Sequence, residues 1–347
     1  MELAEHVSGP LALARGLADV ERLEALDSYA AEMTEAVARL LSDGADVLQV
    51  TQAVAHVNDV LTSHVLDLAE ARLGPPPYAY SWLALGSHGR GEQVLSSDQD
   101  SALAYGGPRL AQGDPDEYFG RLAGYVVDAL ARAGIPKCTG DYMATTWRYP
   151  LSTFTGYFER WVNDPAPSDL LKAEIFLDVR PVHGDLDVGR LDDILVAGGK
   201  RGSFLMQMAR ATVTFRPPVI LLGHLHTDHG YLDIKRSGTA AIVLLARLYA
   251  LAAGTNARTT LDRLRVAGEA RTLSPSGAEQ LVEAYRLLTE LRLRHQVEQA
   301  RDGLTVDNRV RVDGLPGRDR RRLRDAIRTV RVMQEITANR YQTHTVT

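Results

Sequence analysis

The 347 residues contain a single cysteine, Cys138. That excludes an internal disulfide framework and a cysteine-built zinc finger, and it fits a reducing compartment. Long hydrophobic runs are also missing. The longest, Ala240 to Gly254, is too short to span a bilayer and is interrupted by Arg247. Positive charge is not in excess: 39 Lys and Arg face 44 Asp and Glu, a net charge of −5. Nothing in that balance supports general nucleic-acid binding. Arginines do outnumber acids from Arg301 to Arg340, which reads as a solvated helix face, with a weak anion-attracting surface as the alternative. The opening MELAEHVSGP has neither the basic nor the apolar region of a signal peptide. Repeats and low-complexity tracts are absent as well. The expectation is a cytoplasmic protein with no membrane partner. A hydrophobic content of 45% and charge of 24% are ordinary for a globular chain, long enough for two or three structural units.

What is present is concentrated in Tyr80 to Tyr105, YSWLALGSHGRGEQVLSSDQDSALAY. A short apolar strand, Ser81 to Leu85, runs into a turn punctuated by Gly86, Gly89 and Gly91. A second strand follows near Asp98, with its apolar part at Ser101 to Tyr105. Gly86-Ser87 directly after a strand lets backbone N–H groups approach a phosphate, because glycine has no Cβ to block it. Asp98 and Asp100 are two apart on an extended chain, so both carboxylates leave the same face. Two hard oxygen donors side by side suit Mg²⁺ that also bridges to phosphates. Taken singly, a Gly-Ser turn is just a turn and an Asp-x-Asp pair just a solvated loop. Carboxylates at the mouth of a buried strand are costly, however, unless paired or metal-bound.

The residues Gly86-Ser87-x-Gly89-Arg90-x-Glu92-Gln93 and Ser97-Asp98-Gln99-Asp100 resemble the signature of the DNA polymerase β-type nucleotidyltransferases. More narrowly, they resemble proteins related to the N-terminal domain of PII-protein uridylyltransferases. Such proteins often carry CBS or cyclic-nucleotide-binding domains in front, and none is expected within these 347 residues. Ile175 to Asp185 is similar to a stretch that follows the catalytic domain in these relatives. Leu232 to Lys235 with Gly238, Ala246 to Leu251, and Leu291 to Gln296 resemble their C-terminal substrate-binding domain.

The resemblance implies an α+β fold: a polymerase-β-like domain with a small mixed sheet, flanked by N-terminal helices and a C-terminal helical domain. The boundaries read as 1–75, 76–165 and 166–347. Within the first segment, Val50, Val54, Val57, Leu61, Val65 and Leu68 form one apolar stripe, stopped by Gly74 and three prolines. A less regular helix precedes it, around Val20 to Leu41. In the middle segment a helix is expected from Glu117 to Ala133, then a strand from Cys138 to Ala144. From Trp147 the pattern turns helical, with Phe154, Tyr157, Phe158 and Trp161 read as core rather than as a base-stacking platform. From about residue 190 to 340, helix follows helix.

The resemblance also implies the chemistry. Asp98 and Asp100 are the expected Mg²⁺ ligands, for one or two ions. Asp141 is the expected third catalytic acid, with an ordinary turn aspartate as the alternative. Gly86, Ser87, Arg90 and Glu92 form the expected nucleotide site, although Arg90 could instead pair with Glu92 or Asp98. Asp178 and Arg180 are expected to pair with each other, with contact to nucleotide as the alternative. Lys235 and Arg247 are the candidates for substrate contact. The expected reaction moves an NMP from an NTP to an acceptor hydroxyl, with a PII-like signalling protein as the possible acceptor. The alternative is a catalytically silent, nucleotide-sensing module. One motif competes: His224-Leu-His226-Thr-Asp228-His229-Gly230 matches the zinc motif of metallo-β-lactamases. The fold around it is wrong and the downstream ligands are lacking, leaving only His295 and His344. Coincidence in a surface loop is the favoured reading.

Overall fold

The computed structural model describes residues 8–17, 22–108, 114–164, 173–218, 220–221 and 224–343. Val20, His344 and the expected boundary at 165–166 lie outside the described residues. The chain divides into two compact units. One is built on the residues up to Tyr157 with Glu174–Leu191 and Ala300–Leu304, and the other on the remainder.

The first unit opens with α1 (Ser8–Leu17) and α2 (Tyr29–Ser42), then the long α3 (Val47–Leu73). Asp46 caps α3, its side chain accepting from the Leu48 and Gln49 N–H groups at 3.0 and 3.4 Å. The stripe Val50, Val54, Val57, Leu61 and Val65 is buried. Gly74, at φ +87°, ends the helix.

Strand β1 (Tyr78–Ala84) is central in a four-stranded sheet, with β2 (Ser101–Pro108) antiparallel on one side. The register sets Ser81 against Ala104 and Leu83 against Ala102. The sequence expectation of neighbouring strands at 81–85 and 101–105 holds, and the second runs on to Pro108 rather than entering a loop at Gly106. On the other side of β1 lies β4 (Arg180–Gly184), antiparallel, with Ala84 opposite Arg180. Beyond β2 lies β3 (Arg148–Pro150), which is parallel to it. Parallel neighbours need a crossover, and α4 (Pro115–Arg132) supplies it. That helix is capped by Asp114 and buries Phe119, Leu122, Val126 and Leu130. It packs on α3.

Two expectations fail in this unit. Residues 138–144 are turn and irregular chain, not a strand. The strand at Arg148–Pro150 interrupts what the sequence suggests is helix from Trp147, and α5 (Leu151–Asn163) begins only afterwards. Phe154, Phe158 and Trp161 of α5 are core residues, as read.

The second unit is mainly α6 (Gly189–Gly198), α7 (Gly202–Thr214), α8 (Ala240–Ala252), α9 (Thr260–Glu269), α10 (Pro275–Arg301) and α11 (Gly317–Arg340). The sequence misses its two small hairpins, β5 (Ile220–Leu221) with β6 (His224–Leu225), and β7 (Tyr231–Asp233) with β8 (Arg309–Arg311). Strands of two or three residues leave no readable alternation. Helix α8 is apolar at nearly every position, Arg247 excepted, and is buried on nearly every residue. Tyr249 on α8 meets Thr337 on α11 at 2.8 Å.

Candidate active site

Asp98 and Asp100 sit on the extended chain that leads into β2. Between them, Gln99 turns the other way and is 5% exposed. Its side-chain amide donates to the carbonyls of Ile135 at 2.8 Å and Val127 at 3.1 Å. Anchoring Gln99 inward commits both aspartates to the opposite face, as the period of two requires. One ligand atom from each of Asp98, Asp100 and Cys138 lies within 4.8 Å of the others. Among the described residues, this is the one group of three or more His, Cys, Asp or Glu side chains so placed.

Backbone pairing explains why Cys138 is there. The Gln99 N–H donates to Pro136 O at 2.9 Å, and Gln99 bridges Lys137 in parallel. The Ser101 N–H donates to Tyr142 O at 2.9 Å. The 136–142 segment therefore runs alongside 99–101 and delivers the thiol to the carboxylates. Burial, reinforced by the charge of Asp100, pushes the Cys138 thiol up to about 11, so it is protonated at neutral pH. The same surroundings, burial first, raise Tyr142. The sequence alone marks Cys138 as evidence against disulfides and a zinc finger and as the start of an expected strand, not as a donor beside the aspartates. The available signal was the run Ile135-Pro136-Lys137, a short extended piece able to pair beside Gln99. Asp141 stands apart from the trio, at φ +61°, and its carboxylate accepts from the Thr146 hydroxyl at 3.0 Å.

The turn after β1 is a single helical turn, Gly86–Gly89, closed by Gly89 N–H to Leu85 O and Arg90 N–H to Gly86 O. Gly86 has φ +53°, and a Cβ there would stand 2.8 Å from Asp100 Oδ2. Gly89 allows a second close approach, since its Cβ would fall 1.8 Å from Asp178 O. Ser87 is half-buried on this turn.

The remaining motif residues fix the turn in place. Arg90 donates through Nε to Glu92 at 2.8 Å and through Nη1 to Asp178 at 2.5 Å. Both carboxylates are almost fully buried. Gln93 accepts from Asn58 on α3 at 2.9 Å, and Asn58 in turn accepts from Tyr29 on α2. The expected Asp178–Arg180 pair does not form. Asp178 belongs to Arg90, whereas Arg180 donates to Asp59 on α3 at 2.9 Å and to the carbonyls of His88 and Gly89. His88 Nε2 meets the same Asp59 oxygen at 2.7 Å. Burial alone would raise Asp59, but the bonds to His88 and Arg180 outweigh it and hold the carboxyl below its ordinary range.

In the second unit, Lys235 is exposed on a π-helical turn (Lys235–Thr239), and Arg247 is 2% exposed inside α8. In the histidine motif, His226, Asp228 and His229 are exposed, and Asp228 accepts from Arg309 at 2.8 Å. His295 pairs with Asp307 at 3.2 Å.

A small mixed sheet, a glycine turn and two convergent aspartates are the features expected of the nucleotidyltransferase class. Family comparison agrees: the model described as "Putative nucleotidyltransferase DUF294" matches residues 31–168. A second, described as "Putative nucleotidyltransferase substrate binding domain", matches 202–341. The chain belongs to this nucleotidyltransferase family. No curated protein matches it. Among the described residues, no helix is long and apolar enough to cross a membrane.

Proposed function

We propose that the chain is a Mg²⁺-dependent nucleotidyltransferase that moves an NMP from an NTP to an acceptor hydroxyl, like [protein-PII] uridylyltransferase. One observation carries this reading: Asp98 and Asp100 converge beside Gly86 at the end of β1. The donor set fits a hard cation, since two carboxylates supply oxygen ligands and leave room for phosphate oxygens. Asp98 and Asp100 would hold one or two Mg²⁺ ions, which neutralise charge on the phosphates when bound. The Gly86 backbone and the Ser87 hydroxyl bind the terminal phosphates. Glu92 and Arg90 act by holding that turn. The acceptor oxygen attacks the α-phosphorus, the α–β bridging P–O bond breaks, and pyrophosphate leaves. The acceptor proton passes to a carboxylate of the site; Asp141, off the trio on its own turn, is the candidate for the acceptor side. Lys235 is the substrate contact of choice in the second unit, while the burial of Arg247 suits a structural role.

In this reading a PII-like signalling protein offers a tyrosine as acceptor, in the cytoplasm, with no membrane or nucleic-acid partner. A second reading has one observation in its favour. The third donor beside the aspartates is a thiol, not a carboxylate, which suits a module that senses nucleotide without turning it over. Incubation with each α-labelled NTP, Mg²⁺ and cell lysate separates the two. A labelled protein product supports transfer. Mg²⁺-dependent NTP binding without any labelled product supports sensing.

A further inference from the structure

We propose that Asp98, Asp100 and Cys138 form a three-donor site for a thiophilic divalent cation of the zinc class, competing with the oxygen-ligated cation of the transfer reaction. The proposal shares the two carboxylates with the functional reading above and rests on it for the competition alone.

The geometry carries it. The three donor atoms lie within 4.8 Å of one another, and a tetrahedral ion with zinc-type bonds holds its donors roughly 3.5 Å apart. All three side chains are half-buried, and the separation to be closed is at most roughly 1.3 Å. The backbone is fixed on both sides, by the Gln99–Pro136 and Ser101–Tyr142 hydrogen bonds at 2.9 Å each. The sulfur is therefore a built feature of this face rather than a side chain that wanders to it.

Donor chemistry then sorts the ions. A hard ion such as Mg²⁺ takes the carboxylates and ignores sulfur. A zinc-class ion accepts carboxylate and thiolate together, and three protein donors with one open position is a familiar arrangement for it. On binding, the S–H bond breaks, its electron pair goes to the ion and the proton goes to water. An ion held this way occupies both carboxylates that transfer requires, so zinc-class ions are inhibitors that act at the site itself.

Cd²⁺ added to the full-length protein tests this, because thiolate-to-cadmium charge transfer absorbs in the ultraviolet. The expected result is one equivalent of that absorption. Cys138→Ser should abolish it, and Asp98→Asn or Asp100→Asn should weaken Cd²⁺ binding at least tenfold. Excess Mg²⁺ should raise the Cd²⁺ midpoint in the unaltered protein, an arm that needs no variant to fold. Circular dichroism checks the folding of each variant. The proposal is overturned if no band appears, or if the band is indifferent to both aspartates and to Mg²⁺. A band with these dependences but no nucleotidyl transfer keeps the site and removes the catalytic reading. Transfer without the band does the reverse.

Discussion

Gly86 and Asp100 are packed so closely that one hydrogen in place of a methyl separates them: a Cβ on Gly86 would stand 2.8 Å from Asp100 Oδ2. The turn that would hold phosphate and the carboxylate that would hold metal are thus a single contact. Gly86→Ala should suffer twice. The φ of +53° costs an L-residue about 1–2 kcal/mol, and the methyl pushes Asp100 off its position. We expect a lower Tm and a larger loss in Mg²⁺-dependent NTP binding, measured by calorimetry. Ser87→Ala, which keeps the backbone donors, should be milder on both measures.

Removing either carboxylate should weaken the transfer step far more than the fold. Asp98→Asn or Asp100→Asn should cut nucleotidyl transfer on the order of a thousandfold or more. The double variant should be little worse than either single one, because the two act as a unit. Melting should be unchanged or slightly improved, since two like charges no longer face each other. Variants that bind Mg²⁺-NTP and transfer label at the normal rate would exclude these aspartates as the metal site.

Arg90 with Asp178 is a case of the opposite kind, in which stability should fall first. Asp178 is fully buried, and removing it leaves a guanidinium with one fewer charge partner. Asp178→Ala should cost about 3–5 kcal/mol. A double-mutant cycle in urea with Arg90→Ala should show strong non-additivity. An additive result would mean that the pair is not coupled.

Acid should loosen the turn through Asp59. Its folded-state pKa is depressed, so its contribution is complete at pH values above the unfolded carboxylate value near 4. That contribution is lost as pH falls through the lower folded value. Wild-type Tm should therefore drop below about pH 4, and Asp59→Asn should start lower and respond less steeply over the same window. Equal slopes for the two proteins would rule out this assignment.

Lys235 and Arg247 should separate by readout. Lys235 is exposed, so Lys235→Ala should melt like wild type, and any effect should fall on KM for the acceptor. Arg247 is buried in α8, so Arg247→Ala should lower Tm before any kinetic effect can be read.

Much of the candidate site's geometry was legible in the sequence because its logic is local. A strand, a glycine turn and alternate aspartates fix one another within 20 or so residues of chain, and periods of two and 3.6 are visible there. The parts that were not legible depend on distant residues. Nothing near Arg180 shows that its partner is Asp59, a separation of 121 residues. Nothing near Arg90 points to Asp178 rather than Glu92 alone. The segment 138–144 has strand-like composition, yet Gly140 and Asp141 bend it into turns. That bend keeps Asp141 out of the trio and leaves Cys138 beside Asp98 and Asp100. Strand β4, which begins Arg-Pro and ends His-Gly, has no apolar alternation to betray it.

The brace formed by Asp59, His88 and Arg180 also dictates an order of events at the ribosome. Both aspartates and the glycine turn are synthesised well before Arg180, but β1 keeps an unpaired edge until β4 arrives to cover it. Until then the turn lacks the Arg180 bonds that add to its His88 and Gln93 holds on α3, and Arg90 has Glu92 but not Asp178. A nascent chain halted at residue 168, where the first family match ends, would contain every residue proposed to touch nucleotide phosphate or the metal and still have no finished site. Completion awaits contacts that reach across most of the first unit, which carry a larger loop-closure cost than the local ones of the turn.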